Sequence, residues 1–170
     1  MEQLILNNNQ HVSDKTALFA TFVATGEEKA RVTLSFNLRL FLVGCLAEYL
    51  HDLDIVRHVL ALEYLETSKE TGATRALRLK RAGDSALLLA GLFPERALRM
   101  NVSPRYFRHM GQGFYATLAT HLIVTSSDKR GAFYNEVAHG FPLLARVLHD
   151  ARGKTESEWE AFRRFQAQIV

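Results

Sequence analysis

The sequence predicts an all-α protein, a compact bundle-like domain of five to six helices. Residues that interrupt helices are few, with three prolines and ten glycines among 170 residues. Leu, Ala, Arg and Glu, which all favour helices, are frequent. Apolar residues recur at helical spacing over most of the chain, as they do on the buried face of an amphipathic helix. We therefore expect one helical domain over 1–170, in which 1–11 is a flexible N-terminal segment.

The N-terminal part contains the one segment where helix and strand compete. The apolar stretch 17–23 predicts a short helix that starts near Ser13 and ends at Gly26. Over 32–40, apolar and polar residues alternate, which is typical of a half-buried strand. However, the apolar run continues without a turn signal to Leu50, which is too long for a typical strand. We expect a helix here, with a strand over 32–40 as the alternative.

Two further helices are predicted in the middle of the chain by the spacing of their apolar residues. The first covers about 55–71, and the second covers about 74–93, where Pro94 limits it. Gly83 lies inside the second helix and weakens it. If the helix divides at this glycine, Asp84 is the residue that would cap its second piece.

The next two helices have clear local signals. Ser103 followed by Pro104 is typical of an N-cap with proline at the first helical position. Polar residues at 126–128 predict a break, after which a fifth helix begins. Gly140 and Pro142 lie within this fifth helix, and we expect them to bend it.

The last helix has the strongest start signal in the chain. Thr155 and Glu158 have the spacing of a capping box, in which each side chain bonds the backbone of the other residue. The apolar face of this helix is then formed by Trp159, Phe162, Phe165 and Ile169.

One segment, which runs from Gly83 to Gly113, resembles a family of uncharacterised bacterial all-helical proteins. The residues that carry the resemblance are Gly83-Asp84, Leu-Phe-Pro-Glu at 92–95, Tyr106-Phe107 and Met110-Gly111. The resemblance implies a helical bacterial domain. It implies no activity, because none is known for such proteins.

The composition argues against a secreted or membrane protein. Cys45 is the only cysteine, and it lies in an apolar run where a free cysteine behaves as a small hydrophobic residue. The N-terminus lacks the basic-then-apolar order of a signal peptide. The longest apolar stretch, 40–47, is far shorter than the about 20 residues that a spanning helix needs. We therefore expect a cytoplasmic protein without a membrane partner.

Positive charge is concentrated in one part of the chain. The formal net charge is +3, but 75–108 contains eight basic and two acidic residues, a local net charge of +6. The basic residues are Arg75, Arg78, Lys80, Arg81, Arg96, Arg99, Arg105 and Arg108. Tyr106 and Phe107 lie among them, and arginines interleaved with aromatic residues can bind phosphates and stack on bases. Nucleic-acid binding is therefore an alternative function.

Two Glu-x-x-His sequences suggest a metal site as a second alternative. They are Glu48 with His51, and Glu136 with His139. Residues three apart share a helix face, and two such pairs contribute to the di-iron site of ferritin-like bundles. However, the segment 104–125 supplies no acidic residue, so one expected ligand is missing. We therefore expect that both Glu–His pairs lie on the surface and that the protein has no cofactor. In the alternative, the two pairs bind iron, manganese or zinc.

The function we predict is a non-enzymatic protein–protein interaction or regulatory module. No nucleophile elbow or glycine-rich nucleotide loop occurs in the sequence. The apolar segment 86–93 and the aromatic residues that follow it predict burial against the core or a partner, and we expect a homodimer. We expect the partner-binding surface where charge, aromatic residues and the Pro94 turn come together. Its candidate residues are Asp84, Arg96, Arg99, Tyr106, Arg108 and Tyr115.

Overall fold

The described part of the chain is built of helices. The computed structural model describes residues 2–49, 71–99, 103–126, 129–153 and 155–169, and these are almost entirely helical, with no strand among them. The helices are α1 (Glu2–Ala30), α2 (Phe36–Tyr49), α3 (Gly72–Gly91), α4 (Pro94–Arg99), α5 (Pro104–Ser126), α6 (Lys129–Arg152) and α7 (Glu156–Ile169). The all-α prediction is confirmed. The helix predicted over 55–71 falls almost wholly outside the described residues.

Helices α3, α5 and α6 form the centre of the molecule. The two most extensive helix contacts are those of α5 with α6 and with α3, while α1 packs along α6, and α2 packs on α1 and α6. Gly72 contacts His121, and Asp84 contacts Tyr115, so α3 and α5 run in opposite directions. One hydrophobic core unites buried residues of these five helices with Phe162 of α7. None of the helices in the described part of the chain has the length and apolarity needed to span a bilayer.

Helix α3 is continuous through Gly83, so the helix does not divide at this residue. A Cβ atom at Gly83 would lie 2.7 Å from Cε1 of Tyr115. The glycine therefore serves a close approach of α3 and α5, not a break in the helix. Asp84 consequently caps no helix, and it is buried inside α3.

The α1–α2 region differs from the prediction in two respects. Helix α1 begins at Glu2 and passes through Gly26 to Ala30, because Gly26 packs closely on Val147 of α6 and does not end the helix. The segment 2–11 forms the first turns of the α1 backbone. The ambiguous segment begins with a non-helical connection at 32–35, and α2 follows from Phe36. The helix interpretation is thus confirmed from Phe36 onward.

Local signals in the C-terminal half are confirmed. Ser103 Oγ accepts a hydrogen bond from the Tyr106 amide at 3.3 Å, as expected of an N-cap before Pro104. The capping box at the start of α7 is formed, since the Thr155 amide donates to Glu158 Oε2 at 3.1 Å and the Glu158 amide donates to Thr155 Oγ1 at 3.3 Å.

Proline 142 lies within α6, where it cannot donate to the carbonyl of Ala138 one turn earlier. The side chain of Gln112 on α5 donates to this carbonyl oxygen instead, at 3.4 Å. The structure therefore supplies from α5 the hydrogen bond that the proline removes from α6.

Candidate functional site

A buried ion cluster lies between α2, α3 and α5, with Lys80 at its centre. Lys80 Nζ lies 2.7 Å from Asp84 Oδ2 and 2.7 Å from Glu48 Oε2. The hydroxyl group of Tyr115 donates a hydrogen bond to Asp84 Oδ1 at 2.6 Å. Lys80 and Asp84 share a face because they are four residues apart on α3. Since Asp84 is fully buried, it needs both of these partners to compensate its lost hydration.

The protonation of this cluster follows from burial and charge pairing. Burial raises the pKa of Asp84, while Lys80 and Tyr115 act in the opposite direction. Burial alone would lower the pKa of Lys80, but the nearby Asp84 carboxylate and the hydrogen bonds to Asp84 and Glu48 raise it. Burial also raises the pKa of Tyr115 and of the Cys45 thiol well above their ordinary values. The cluster is therefore a paired structural unit, and Cys45 is a buried thiol without thiolate character.

Three residues singled out in the sequence meet at this cluster for reasons the sequence did not reveal. Asp84 and Tyr115 were predicted to contact a partner, but both are fully buried and bonded to each other. They are therefore not part of a surface that a partner can reach. Glu48 was considered as a metal ligand and instead pairs with Lys80. The spacing of Lys80 and Asp84 was the one local signal that could have indicated the cluster.

The two Glu-x-x-His pairs do not converge. Glu48 lies near the end of α2, whereas Glu136 accepts hydrogen bonds from Ser35 and Asn37 at its beginning. The helix between Asn37 and Glu48 rises by about 16 Å, so the two carboxylates do not bind one metal ion together. The Nδ1 atom of His139 is 2.8 Å from the carbonyl oxygen of Asn135.

His51 lies outside the described residues. Within the described ranges, no group of three or more His, Cys, Asp or Glu side chains is placed to hold a metal ion.

The basic residues of 75–108 separate into two groups, because α3 and α5 are antiparallel. Arg75 lies beside the end of α5 that contains His121, and Arg108 lies near the beginning of α5. The rise of α5 from Arg108 to His121 is about 20 Å. Lys80 is held in the ion cluster, and Phe107 is buried. These residues therefore do not form one continuous basic and aromatic surface.

Arg108 lines a cavity of about 540 Å³ that also includes Pro94. We call it the basic cavity, and its other lining residues are Ala90, Pro142, Ala145, Arg146 and His149. Arg146 Nη2 donates to the carbonyl oxygen of Ala30 at 3.0 Å, which fixes its side chain. His149 Nδ1 lies 3.2 Å from Asp150 Oδ1. The cavity thus joins a mostly apolar floor with basic groups from α5 and α6.

Only part of the predicted partner surface is found around this cavity. Arg108 and the Pro94 turn come together there, as expected. Arg99 is exposed at the end of α4. Tyr106 is half-buried, and the centroid of its ring lies 5.4 Å from the ring centroid of Phe107. The side chain of Arg96 lies outside the described part of the structure. The contribution of α6 could not be foreseen, because no local pattern links Arg108 to that helix.

The fold and these sites define an all-α protein with a fully paired ion cluster inside and a basic cavity on its surface. The chain matches no protein-family model, and neither a curated protein nor a solved structure is significantly similar to it. The assignment of a function therefore rests on the geometry of the chain.

Proposed function

We propose that the protein is a non-enzymatic interaction module that binds an acidic segment of a partner protein at the basic cavity. The observation that carries the proposal is the convergence of Arg108, Arg146 and His149 around a cavity with a mostly apolar floor. Arginine side chains bind carboxylates through strong charge-assisted hydrogen bonds. An apolar side chain of the same segment can occupy the cavity, as anchor residues do at protein interfaces.

A protein partner fits this surface better than a nucleic acid does. Binding to a phosphate backbone draws on many basic side chains along one surface, and single strands also need exposed aromatic rings for stacking. Here the arginines of 75–108 lie at opposite ends of α5, and Phe107 is buried. The basic cavity instead offers a local positive charge next to a small apolar floor.

Fluorescence anisotropy with a labelled short peptide of glutamate and leucine tests the proposal. Arg108→Glu and Arg146→Glu should each weaken binding by about tenfold or more, equivalent to about 1.4 kcal/mol, because repulsion replaces attraction. Arg164→Glu, which changes an exposed arginine of α7 that does not line the cavity, should leave binding unchanged. Far-UV circular dichroism confirms that each variant is folded.

Two outcomes would remove the basic cavity as the partner site. In the first, Arg108→Glu and Arg146→Glu bind the peptide as tightly as the wild type and the Arg164→Glu control do. In the second, the wild type does not bind the peptide. A labelled single-stranded oligonucleotide serves as the comparison. If the protein binds the oligonucleotide and not the peptide, the nucleic-acid alternative replaces this proposal.

The exposed face of α2 favours a homodimer as a second candidate. This face presents Phe36, Leu40, Gly44 and Ala47, and the first two are 71% and 55% exposed. A helix that is apolar around its whole circumference is normally buried. In an antiparallel two-fold pairing, the large side chains of one copy lie over the small residues of the other. The segment 86–93 no longer supports a dimer, because its apolar side chains are mostly buried inside the chain.

Gly44→Leu provides a direct test of the dimer. A Cβ atom at Gly44 would meet nothing within 4 Å, so the monomer should accept the larger side chain. In the proposed dimer, the same side chain would collide with the partner copy, and light scattering should show a change from dimer to monomer. Gly113→Leu is the matched control, since a Cβ atom at this exposed glycine of α5 also meets nothing within 4 Å. A wild-type protein that is monomeric at every concentration would contradict the proposal.

A further inference from the structure

Two adjoining cavities lie beside the N-terminal end of α3, far from the basic cavity. One has a volume of about 420 Å³ and lies between α3, α5 and the start of α6, and the other has a volume of about 450 Å³ and lies between α3 and α5. His121 lines both of them, and we call them the His121 cavities. Each lies in the range of about 300–1,000 Å³ that is typical of small-molecule sites.

The wall of the first His121 cavity is largely apolar, and exposed apolar side chains lie beside both cavities. Leu118 and Leu122 of α5 line the first cavity together with Leu77 of α3. Among the described residues, five large apolar side chains are well exposed, and three of them are Leu77, Ile123 and Val124. Leu77 and Val124 line the two cavities, and Ile123 precedes Val124. Clustered exposure of this kind indicates a binding site for an apolar group.

The polar groups of the His121 cavities indicate a negatively charged ligand. Among the described residues that line the two cavities there is no aspartate or glutamate, whereas Arg75, Lys80 and Arg130 are present. Lys80 is paired with Asp84 and Glu48, so Arg75 is the residue of the second cavity that offers a positive charge to a ligand. The Nε atom of Arg75 is buried and has no hydrogen-bond acceptor within the described part of the chain. The Arg75 side chain as a whole is half-buried and lines the second cavity, so its guanidinium group can donate to an acceptor oxygen of a ligand there.

From these three observations we propose that the His121 cavities bind an apolar monocarboxylate, such as a medium-chain fatty acid. The carboxylate accepts a hydrogen bond from Arg75 in the second cavity. The hydrocarbon chain then passes His121 and packs against Leu77, Leu118 and Leu122 in the first cavity. The site lies at the opposite end of α5 from the basic cavity, so it does not depend on the proposed partner interaction.

Isothermal titration calorimetry with decanoate, below its micelle concentration, tests this site. We expect saturable binding of decanoate and much weaker binding of two comparison ligands. Decylammonium carries a similar hydrocarbon chain with the opposite charge, and acetate carries the same head group without the chain. Arg75→Ala should weaken decanoate binding by about tenfold or more, because a charge-assisted hydrogen bond is lost. Arg81→Ala changes an exposed arginine of α3 that lines neither cavity, and it should leave the affinity unchanged.

A second variant keeps the test independent of any change in folding at Arg75. Leu77→Gln places an amide in the wall of the first cavity at a position that is already 50% exposed, and it should also weaken decanoate binding. The proposal is overturned if decylammonium binds as tightly as decanoate, or if both variants bind decanoate like the wild type. Binding to phosphatidylserine-containing vesicles without binding to free decanoate would overturn it in favour of a membrane surface.

Discussion

At the scale of single residues, Asp84 shows how a charged side chain can be part of an apolar core. The residues around it on α3 are buried and mostly apolar, yet its carboxylate is satisfied by Lys80 from its own helix and by Tyr115 from α5. Lys80 reaches this position because its aliphatic stem packs inside the fold while its ammonium group meets Glu48 nearer the surface. Lys80 and Asp84 together join α3 to α2 and to α5.

Two glycines of α5 give a prediction at the same scale. A Cβ atom at Gly111 would overlap the ring of Phe141, whereas one at Gly113 would meet nothing within 4 Å. Gly113→Ala should therefore stabilise the protein by about 0.5–1 kcal/mol, because alanine loses less backbone entropy in a helix. Gly111→Ala should destabilise it by about 1–3 kcal/mol, because the core is overpacked.

Urea denaturation of the two alanine variants measures both effects on one helix. Relative to the wild type, the free energy of unfolding should rise for Gly113→Ala and fall for Gly111→Ala, although the two positions are only two residues apart. If Gly111→Ala were as stable as Gly113→Ala, the close contact of α5 with α6 would be incorrect.

At the scale of elements, the connection between α1 and α2 depends on one buried carboxylate. Glu27 accepts a hydrogen bond from the Leu34 amide at 2.6 Å. It also accepts two from Arg39, from Nε at 2.8 Å and from Nη2 at 3.0 Å. Arg31 lies between the two helices with a positive φ of 54°, which an L-residue seldom adopts. Glu27 thus holds the end of α1, the connection and the first turn of α2 together.

Glu27 should make the stability of this junction sensitive to acid. The hydrogen bond from Arg39 lowers the pKa of Glu27 below its ordinary value of 4.5, burial opposes this effect, and the Leu34 amide adds to it. The folded protein therefore binds a proton at Glu27 less readily than the unfolded chain does. The stabilisation is fully present above about pH 4.5, and it is lost as the pH falls through the lowered value.

Thermal unfolding of the wild type and of Glu27→Gln as a function of pH checks this expectation. The variant should be less stable near neutral pH by about 1.5–3 kcal/mol, because hydrogen bonds to a charged group are lost. Below pH 4.5 the difference between the two proteins should become smaller. A difference that does not depend on pH would show that the charge of Glu27 is unimportant.

The elements also show which features a sequence can and cannot reveal. The starts of α5 and α7 were predictable because Ser103, Thr155 and Glu158 each form a hydrogen bond with backbone in the first turn of the helix that they start. Gly26 was predicted to end a helix and does not, and the sequence left open a break at Gly83 that the structure does not have. A glycine permits either a turn or a close contact with a neighbouring element. At Gly26 the close contact is with α6, and at Gly83 it is with Tyr115, and neither contact can be deduced from the local sequence.

At the scale of the whole molecule, the antiparallel arrangement of α3 and α5 decides where the charge lies. Residues that form one basic stretch in the sequence are distributed to both ends of α5, where they line different cavities. The helical class was predictable because it depends on composition and spacing. The sites were not, since Arg108 meets Arg146 and His149 only through the packing of α5 on α6.

The molecule consequently has two separate ends with different chemistry. The basic cavity combines positive charge with a small apolar floor, and the His121 cavities combine positive charge with larger apolar walls. Between them lies the ion cluster around Lys80, whose groups are engaged with one another. The two proposed sites can therefore be changed independently, and the variants described above distinguish one from the other.

The hydrogen bond from Gln112 to the Ala138 carbonyl has a consequence for how this chain can evolve. Proline at 142 leaves that carbonyl without its helical donor, so position 112 is constrained to a side chain that carries an N–H or O–H group. A lineage that replaces Pro142 with another residue restores the donor within α6 and releases position 112 from this constraint. The two positions, thirty residues apart in the sequence, should therefore mutate as a pair, with the proline exchanged first.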